Sequence, residues 1–137
     1  MTSTLKIHLR RNERLFVNGA VLRADRKVTI EFLNDVVFLL ESHVLQEEQA
    51  DTPLRQLYFM LQYILIEPKS ADMARAMYHQ SFGLVRSHFD SEVVLVGLGE
   101  ADAMVRSDRV FDAMKIIRRM FPIEDSILSS DALLAAG

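Results

Sequence analysis

The chain has 137 residues, 50% of them hydrophobic and 26% charged, with a formal net charge of −3. That composition can bury one sizeable core, or two small lobes sharing one, without a metal or disulfide staple. Cysteine is absent, which removes disulfides, thiolate metal sites and cysteine nucleophiles and fits a reducing compartment.

Met1–Thr4 leads straight into an alternating apolar pattern, with no charged start before an apolar block. No signal peptide is expected from such a start. The longest apolar-rich run, Leu54 to Ile66, is too short for a bilayer and is interrupted by Arg55, Gln56 and Gln62. A soluble, cytoplasmic protein with no membrane partner is expected.

Leu5, Ile7 and Leu9 alternate with Lys6, His8 and Arg10, the signature of a half-buried strand. Arg11-Asn12-Glu13 reads as a turn, followed by the apolar stretch Leu15-Phe16-Val17. Asn18-Gly19 then supplies a hairpin signal, because both residues tolerate the positive φ of a type I′ turn. Val21 and Leu22 lie beyond it, and Val28 to Phe32 alternates again with β-branched residues. Asn34-Asp35 marks a turn before Val36 to Leu40. Periodicity does not decide whether that last run is a buried strand or the opening of a helix. Val44-Leu45 is read as a short final strand.

Near residue 50 the period changes. Thr52 before Pro53 is a helix N-cap with proline at the first helical position. Leu54, Leu57, Tyr58, Leu61, Ile64 and Leu65 then share one face. Phe59, Met60, Tyr63 and Ile66 widen that face, which makes this the central helix. Pro68 closes it. Ser70, Ser91 and Ser107 are candidate caps for three further helices, the one after Ser70 ending near His88 and the one after Ser107 at Pro122. Pro122 to Leu128 reads as a connector, and Ser129 to Gly137 as a disordered tail. The fold class is therefore α+β: a basic antiparallel β segment over residues 1–48, then a bundle of about four helices over 49–128, forming one compact unit.

Charge is distributed unevenly. Residues 1–34 hold seven basic and three acidic side chains, net +4; the remainder holds nine basic and sixteen acidic, net −7. A localised anion-binding face is one reading, and basic decoration of the wet side of a half-buried sheet is the other.

Catalytic and metal constellations do not emerge. His8, His43, His79 and His88 are far apart, and no His-x-x-x-His pairing occurs. Glu47-Glu48 and Asp102 read as solvated charges rather than a general acid and base. Gly97-Leu98-Gly99 falls inside a predicted helix without a preceding strand, so it signals close helix packing or a kink rather than a phosphate cradle. No enzyme activity, metal or cofactor is expected. The candidate site is the basic β segment, with Lys6, Arg10, Arg11, Arg14, Arg23, Arg26 and Lys27 as RNA-contacting residues. Guanidinium groups suit phosphate oxygens and can stack on unpaired bases. Phe16 and Phe32 fit better as core, so contact led by phosphate is favoured over an aromatic platform. In the helical half, Tyr58, Tyr63, Tyr78 and Met60, Met73, Met77, Met104, Met114 and Met120 either fill the core or line an adaptable groove for a partner helix. A homo-oligomer covering the open sheet edges is a further option.

Asn18-Gly-Ala-Val-Leu-Arg-Ala-Asp-Arg-Lys27, continuing to Glu31-Phe-Leu-Asn-Asp35, resembles the signature region of the FlbT family. Phe38 to Glu41, His43 to Gln46, Thr52 to Phe59, Phe111 to Arg118 and Phe121 to Asp125 follow in the order that family shows. The resemblance runs from about Leu5 to Leu128. It implies a cytoplasmic post-transcriptional regulator of flagellin expression that associates with the 5′ untranslated region of flagellin mRNA and alters its stability or translation. FlaF-type proteins are the implied genetic partners. The family offers no RNA-contacting residues to carry over, so the seven basic residues stand on charge alone. The alternative is a protein-binding or chaperone-like module that holds flagellin or a FlaF-type protein, with indirect effects on RNA. A shorter stretch, Leu5 to Arg11 with Leu15 to Val17, is similar to the first hairpin of the CsrA family of leader-RNA-binding proteins.

Overall fold

The computed structural model describes residues 5–34 and 36–136, with side chains through Asp131. Five strands come first: β1 (Leu5–Leu9), β2 (Arg14–Val17), β3 (Ala20–Arg23), β4 (Val28–Phe32) and β5 (Phe38–Leu40). Among the described residues five α-helices follow: α1 (Pro53–Ile66), α2 (Ala71–Ser87), α3 (Glu92–Arg106), α4 (Val110–Arg119) and α5 (Phe121–Ala136), with short 3-10 turns at Glu41–His43, Glu47–Gln49 and Pro68–Ser70. The α+β reading holds.

The strands form two small antiparallel sheets. One pairs β1 with β4, and the other has the order β3-β2-β5. β1 therefore pairs with β4 across the intervening hairpin, not with the strand that follows it. Asn18 at φ 48° and Gly19 at φ 84° make the β2–β3 turn, in the backbone region that hairpin turns of this kind require. The inward residues Ile7, Leu9, Leu15 and Ala24 form a small core of their own, with Val17, Val28, Ile30 and Phe38 packed against it. The ambiguous run resolves as strand β5, whose Leu39 is buried in the helical core. Asp35, half of the predicted turn, and Met1–Thr4 lie outside the described residues.

Val44-Leu45 is not a strand. The N–H of Leu45 donates to Gln62 Oε1 at 2.6 Å, and Gln62 Nε2 donates to the Leu45 carbonyl at 2.8 Å. The buried Gln62 amide thus does for Leu45 what a neighbouring strand would have done, satisfying both backbone groups. The polar interruption in the apolar run of α1 is the joint between the two halves. Tyr58 adds to it by donating to the His43 carbonyl, and Arg118 of α4 donates to Tyr58 Oη at 3.0 Å and to the Ser42 carbonyl at 2.9 Å.

Thr52 caps α1, its side chain accepting from the Arg55 N–H, with Pro53 in the first turn. Leu54, Leu57, Tyr58 and Leu61 bury the core face of α1, which packs against both α2 and α4. Ser91 caps α3 by accepting from Val94 N. Ser70 sits at the start of α2, but its side chain makes no cap. Ser107 ends α3 instead of opening α4, whose N-terminal flank is Arg109. Pro122 does not stop the helices either. It occupies the first turn of α5, where a missing N–H costs no helical bond. The expected tail is helical too, since α5 runs through Ser129 to Ala136. Gly97 explains the close packing predicted for Gly97-Leu98-Gly99: a Cβ there would lie 2.3 Å from Met120 Sδ.

Candidate nucleic-acid interface

The alternation of β1 places Lys6, His8 and Arg10 on the exposed side, with Ile7 and Leu9 buried opposite. Their cross-strand neighbours are polar as well. Lys6 faces Glu31 and approaches it to 3.9 Å, while His8 Nδ1 lies 2.9 Å from Thr29 Oγ1. Lys6 is thus partly neutralised.

On the second sheet Arg14 stands directly opposite Arg23. Like charges at such a position repel, and Glu41 relieves the pair from one side. Arg14 donates to Glu41 Oε1 through Nη2 at 2.8 Å and Nε at 3.0 Å, and the Arg14 N–H reaches Oε2. These hydrogen bonds hold the Glu41 carboxyl below the ordinary carboxylate range. Arg14 is therefore committed to the fold. Sequence reasoning missed Glu41, because the two residues lie 27 apart and no local pattern couples them.

Two turns bring the remaining cations to one end of the β half. The Asn12 N–H donates to the Ala24 carbonyl at 2.7 Å, and the Ala24 N–H donates to the Glu13 carbonyl at 3.1 Å. Asn12, at φ 69°, makes the tight bend that this requires. The bend sets Arg10 and Arg11 beside the end of β3, where Arg23 sits, with Asp25-Arg26-Lys27 following. Glu13 accepts from the Arg10 backbone N–H and so leaves the Arg10 guanidinium unclaimed. Arg26 lies 3.5 Å from Asp25, both side chains being largely exposed. Among the described residues, Arg10, Arg11, Arg23 and Lys27 make no ion pair, and all four are exposed.

The seven predicted residues thus fall into two groups. Arg10, Arg11, Arg23, Arg26 and Lys27 gather at the turn end, Arg26 beside its neighbour Asp25, whereas Lys6 and Arg14 are engaged with Glu31 and Glu41 from other elements. Phe16 and Phe32 are half-buried against the two cores, with Phe32 stacked 5.0 Å from Phe38. Both rings serve mainly as packing, and it is the exposed guanidinium and ammonium groups of the turn end that suit phosphate oxygens.

Among the described residues no three His, Asp or Glu side chains converge into a metal-holding group. No helix among them is long and apolar enough to cross a membrane. Fold and site together define a small α+β protein that presents a cationic turn cluster on a β half anchored to a helical core.

The family model described as "Flagellar protein FlbT" matches residues 5–128. A probable flagellum biosynthesis repressor protein FlbT from Rhizobium leguminosarum bv. trifolii is 55% identical over 130 residues, covering 95% of this chain and 87% of its own. Proteins of the same description from Mesorhizobium japonicum and Agrobacterium fabrum are 50% and 48% identical, covering 96% and 99% of this chain and 89% and 91% of theirs. No solved structure matches the chain. The chain belongs to the FlbT family.

Proposed function

We propose that the chain is a regulator of flagellum synthesis that acts after transcription, binding the 5′ untranslated region of flagellin mRNA and altering its stability or translation. The regulatory role follows from relatives named as probable flagellum biosynthesis repressors. The observation that supports RNA contact is the cluster of exposed Arg10, Arg11, Arg23 and Lys27 at the turn end of the β half, which make no ion pair among the described residues. The mechanism is steric: a protein seated on the leader blocks ribosome access or redirects nucleases. It requires no catalytic group and no cofactor, and it operates in the cytoplasm where message is translated.

The test is binding of purified protein to a flagellin leader as salt rises. Affinity should fall with a slope set by the number of phosphates neutralised, about 0.7 per contact on a single strand. Replacing Arg10, Arg11, Arg23 and Arg26 together by glutamate should weaken binding while the fold survives. Unchanged affinity in that variant would remove the site assignment.

A second reading is that the helical half holds flagellin or a FlaF-type protein and that effects on the message are indirect. It is favoured by an open apolar surface on α1 and α2. A stable complex with flagellin, together with no affinity of the pure protein for the leader, would select it.

A further inference from the structure

Most methionines and tyrosines of the helical half fall into two groups, with Met104 half-buried against the core. Tyr58, Tyr78, Met114 and Met120 are buried in the core. Tyr78 is anchored there by donating to Asp102 Oδ1 at 2.9 Å. Met60, Tyr63, Met73 and Met77 instead line, with Phe59, an open depression of about 250 Å³ between α1 and α2. Met73 is 70% exposed, Met77 47% and Tyr63 43%. Large apolar side chains gathered in one concavity differ from scattered surface apolar residues and mark an interaction site.

Phe59 and Tyr63 pack edge to face, 5.0 Å apart, as a ridge. The far side of that ridge is a second depression of about 390 Å³, bordered by the exposed acids Glu47 and Glu48. Arg14 also borders it but is held by Glu41. Glu47 and Glu48 make no ion pair among the described residues. An apolar groove with an uncompensated acidic flank repels phosphate and attracts lysine and arginine.

From these features we propose that the α1–α2 groove docks a basic amphipathic helix of a partner protein, its apolar stripe on Met73, Met77 and the Phe59–Tyr63 ridge, and its cationic flank over Glu47 and Glu48. Phe59 and Tyr63, like Met73 and Met77, are one helical turn apart, roughly 6 Å along the axis. That spacing accepts anchors at i, i+4 and i+7 from a docked helix. Methionine side chains, unbranched and polarizable, adapt to the shape presented. This inference deepens the protein-binding reading and does not depend on RNA contact.

The test titrates full-length protein into two fluorescein-labelled designed helices carrying the same leucine stripe. One has lysines along the flank and the other glutamates at the same positions. The lysine helix should bind at least about tenfold more tightly. Met73→Lys with Met77→Lys should abolish binding, and these exposed positions should leave the thermal melt unchanged. Glu47→Lys with Glu48→Lys should reverse the preference between the two helices. The proposal is overturned by equal binding of both helices, by no binding of either, or by full binding to the methionine variant. It is also overturned if sedimentation finds a dimer that the methionine variant loses, since the occupant is then a second copy. Loss of leader binding in the methionine variant would reassign the groove to RNA. Flagellin that co-purifies with that variant as well as with the parent would keep the protein-binding reading and reject the groove.

Discussion

Glu124 of α5 is wholly buried, and its carboxylate closes the N-terminus of α1. Glu124 Oε2 accepts from the Leu54 N–H at 2.8 Å, while Oε1 accepts from the Thr52 hydroxyl and lies 3.4 Å from Arg55 Nη1. A carboxylate at a helix N-terminus meets free N–H donors and the positive end of the helix dipole. Arg55 completes the arrangement by lying 4.5 Å over the Phe121 ring and binding Asp125 through two bonds of 2.7 and 3.0 Å. The last helix is thereby tied to the first across 70 residues.

Glu124→Ala should therefore cost about 3 kcal/mol, since it leaves the buried Leu54 N–H and the Thr52 hydroxyl without their acceptor. In a domain of this size that lowers the melting temperature by roughly 10 °C. Asp125→Ala, which removes an exposed partner of the same arginine, should move the melt far less. Equal shifts for the two variants would show that the buried cap is not what holds α5.

Gly97 and Gly99 are two residues apart on α3 and should respond oppositely to alanine. Nothing lies within 4 Å of a Cβ at Gly99, so Gly99→Ala should stabilise by about 1 kcal/mol through helix propensity. At Gly97 the new methyl meets the buried Met120 side chain, and repacking costs about 1–3 kcal/mol against the same gain. Denaturant midpoints should rank Gly99→Ala above the parent and the parent above Gly97→Ala. Shortening Met120 to alanine in the Gly97→Ala background should make the added methyl less costly.

Strands β1 to β4, the hairpin at Asn18-Gly19 and the capped start of α1 were legible in the sequence because each rests on local signals. Alternation, a turn dipeptide and an N-cap before proline need no tertiary information. What the sequence withheld was non-local. Pro122 reads as a stop or as a first-turn residue depending only on where α4 ends, and Ser107 reads as a cap until α3 claims it. Gln62 looked like an interruption of an apolar face and is instead the partner of Leu45. Charge counting found the basic segment but could not see that Glu41 engages Arg14, or that two backbone bonds at Ala24 gather the remaining arginines. Nor could it separate the core methionines from those of the groove, because both sets lie at helical spacing.

His43 should make stability fall on mild acidification. Its ring packs edge to face on Phe111, with centroids 5.4 Å apart, and its buried Nδ1 has no hydrogen-bond partner among the described residues. Burial, with Arg118 and Lys115 nearby, holds its pKa below the ordinary histidine value. The unfolded chain then takes up this proton first, at about pH 6.5. The His43 contribution is complete above that pH and is lost as pH falls from there to the lowered folded pKa. The depressed carboxyls of Glu41, Asp112 and Asp125 act in a separate window, below about pH 4. Urea midpoints of the parent should drop between pH 7.5 and the low fives, whereas those of His43→Leu should stay level there and fall only with the carboxyls. The same drop in both proteins would assign the effect to another group.

Arg14 and Arg23 face each other across the hairpin, yet they should behave differently in an RNA titration. Arg14 is held by Glu41 through two guanidinium bonds, so Arg14→Ala removes a structural tie and leaves Glu41 and the backbone N–H of residue 14 to rearrange. Among the described residues Arg23 makes no ion pair, and it is exposed at the end where Arg10 and Arg11 gather. Arg23→Ala should weaken leader binding and reduce the salt slope by about 0.7, the share of one phosphate contact on a single strand. Arg14→Ala should lower the melting temperature and leave the slope unchanged. Glu41→Gln frees Arg14 and should strengthen RNA binding at low salt if an unpaired cation is what the leader recognises. A lower affinity in Glu41→Gln, with its fold intact by circular dichroism, would mean that the surface works through its shape and not through the number of free positive charges.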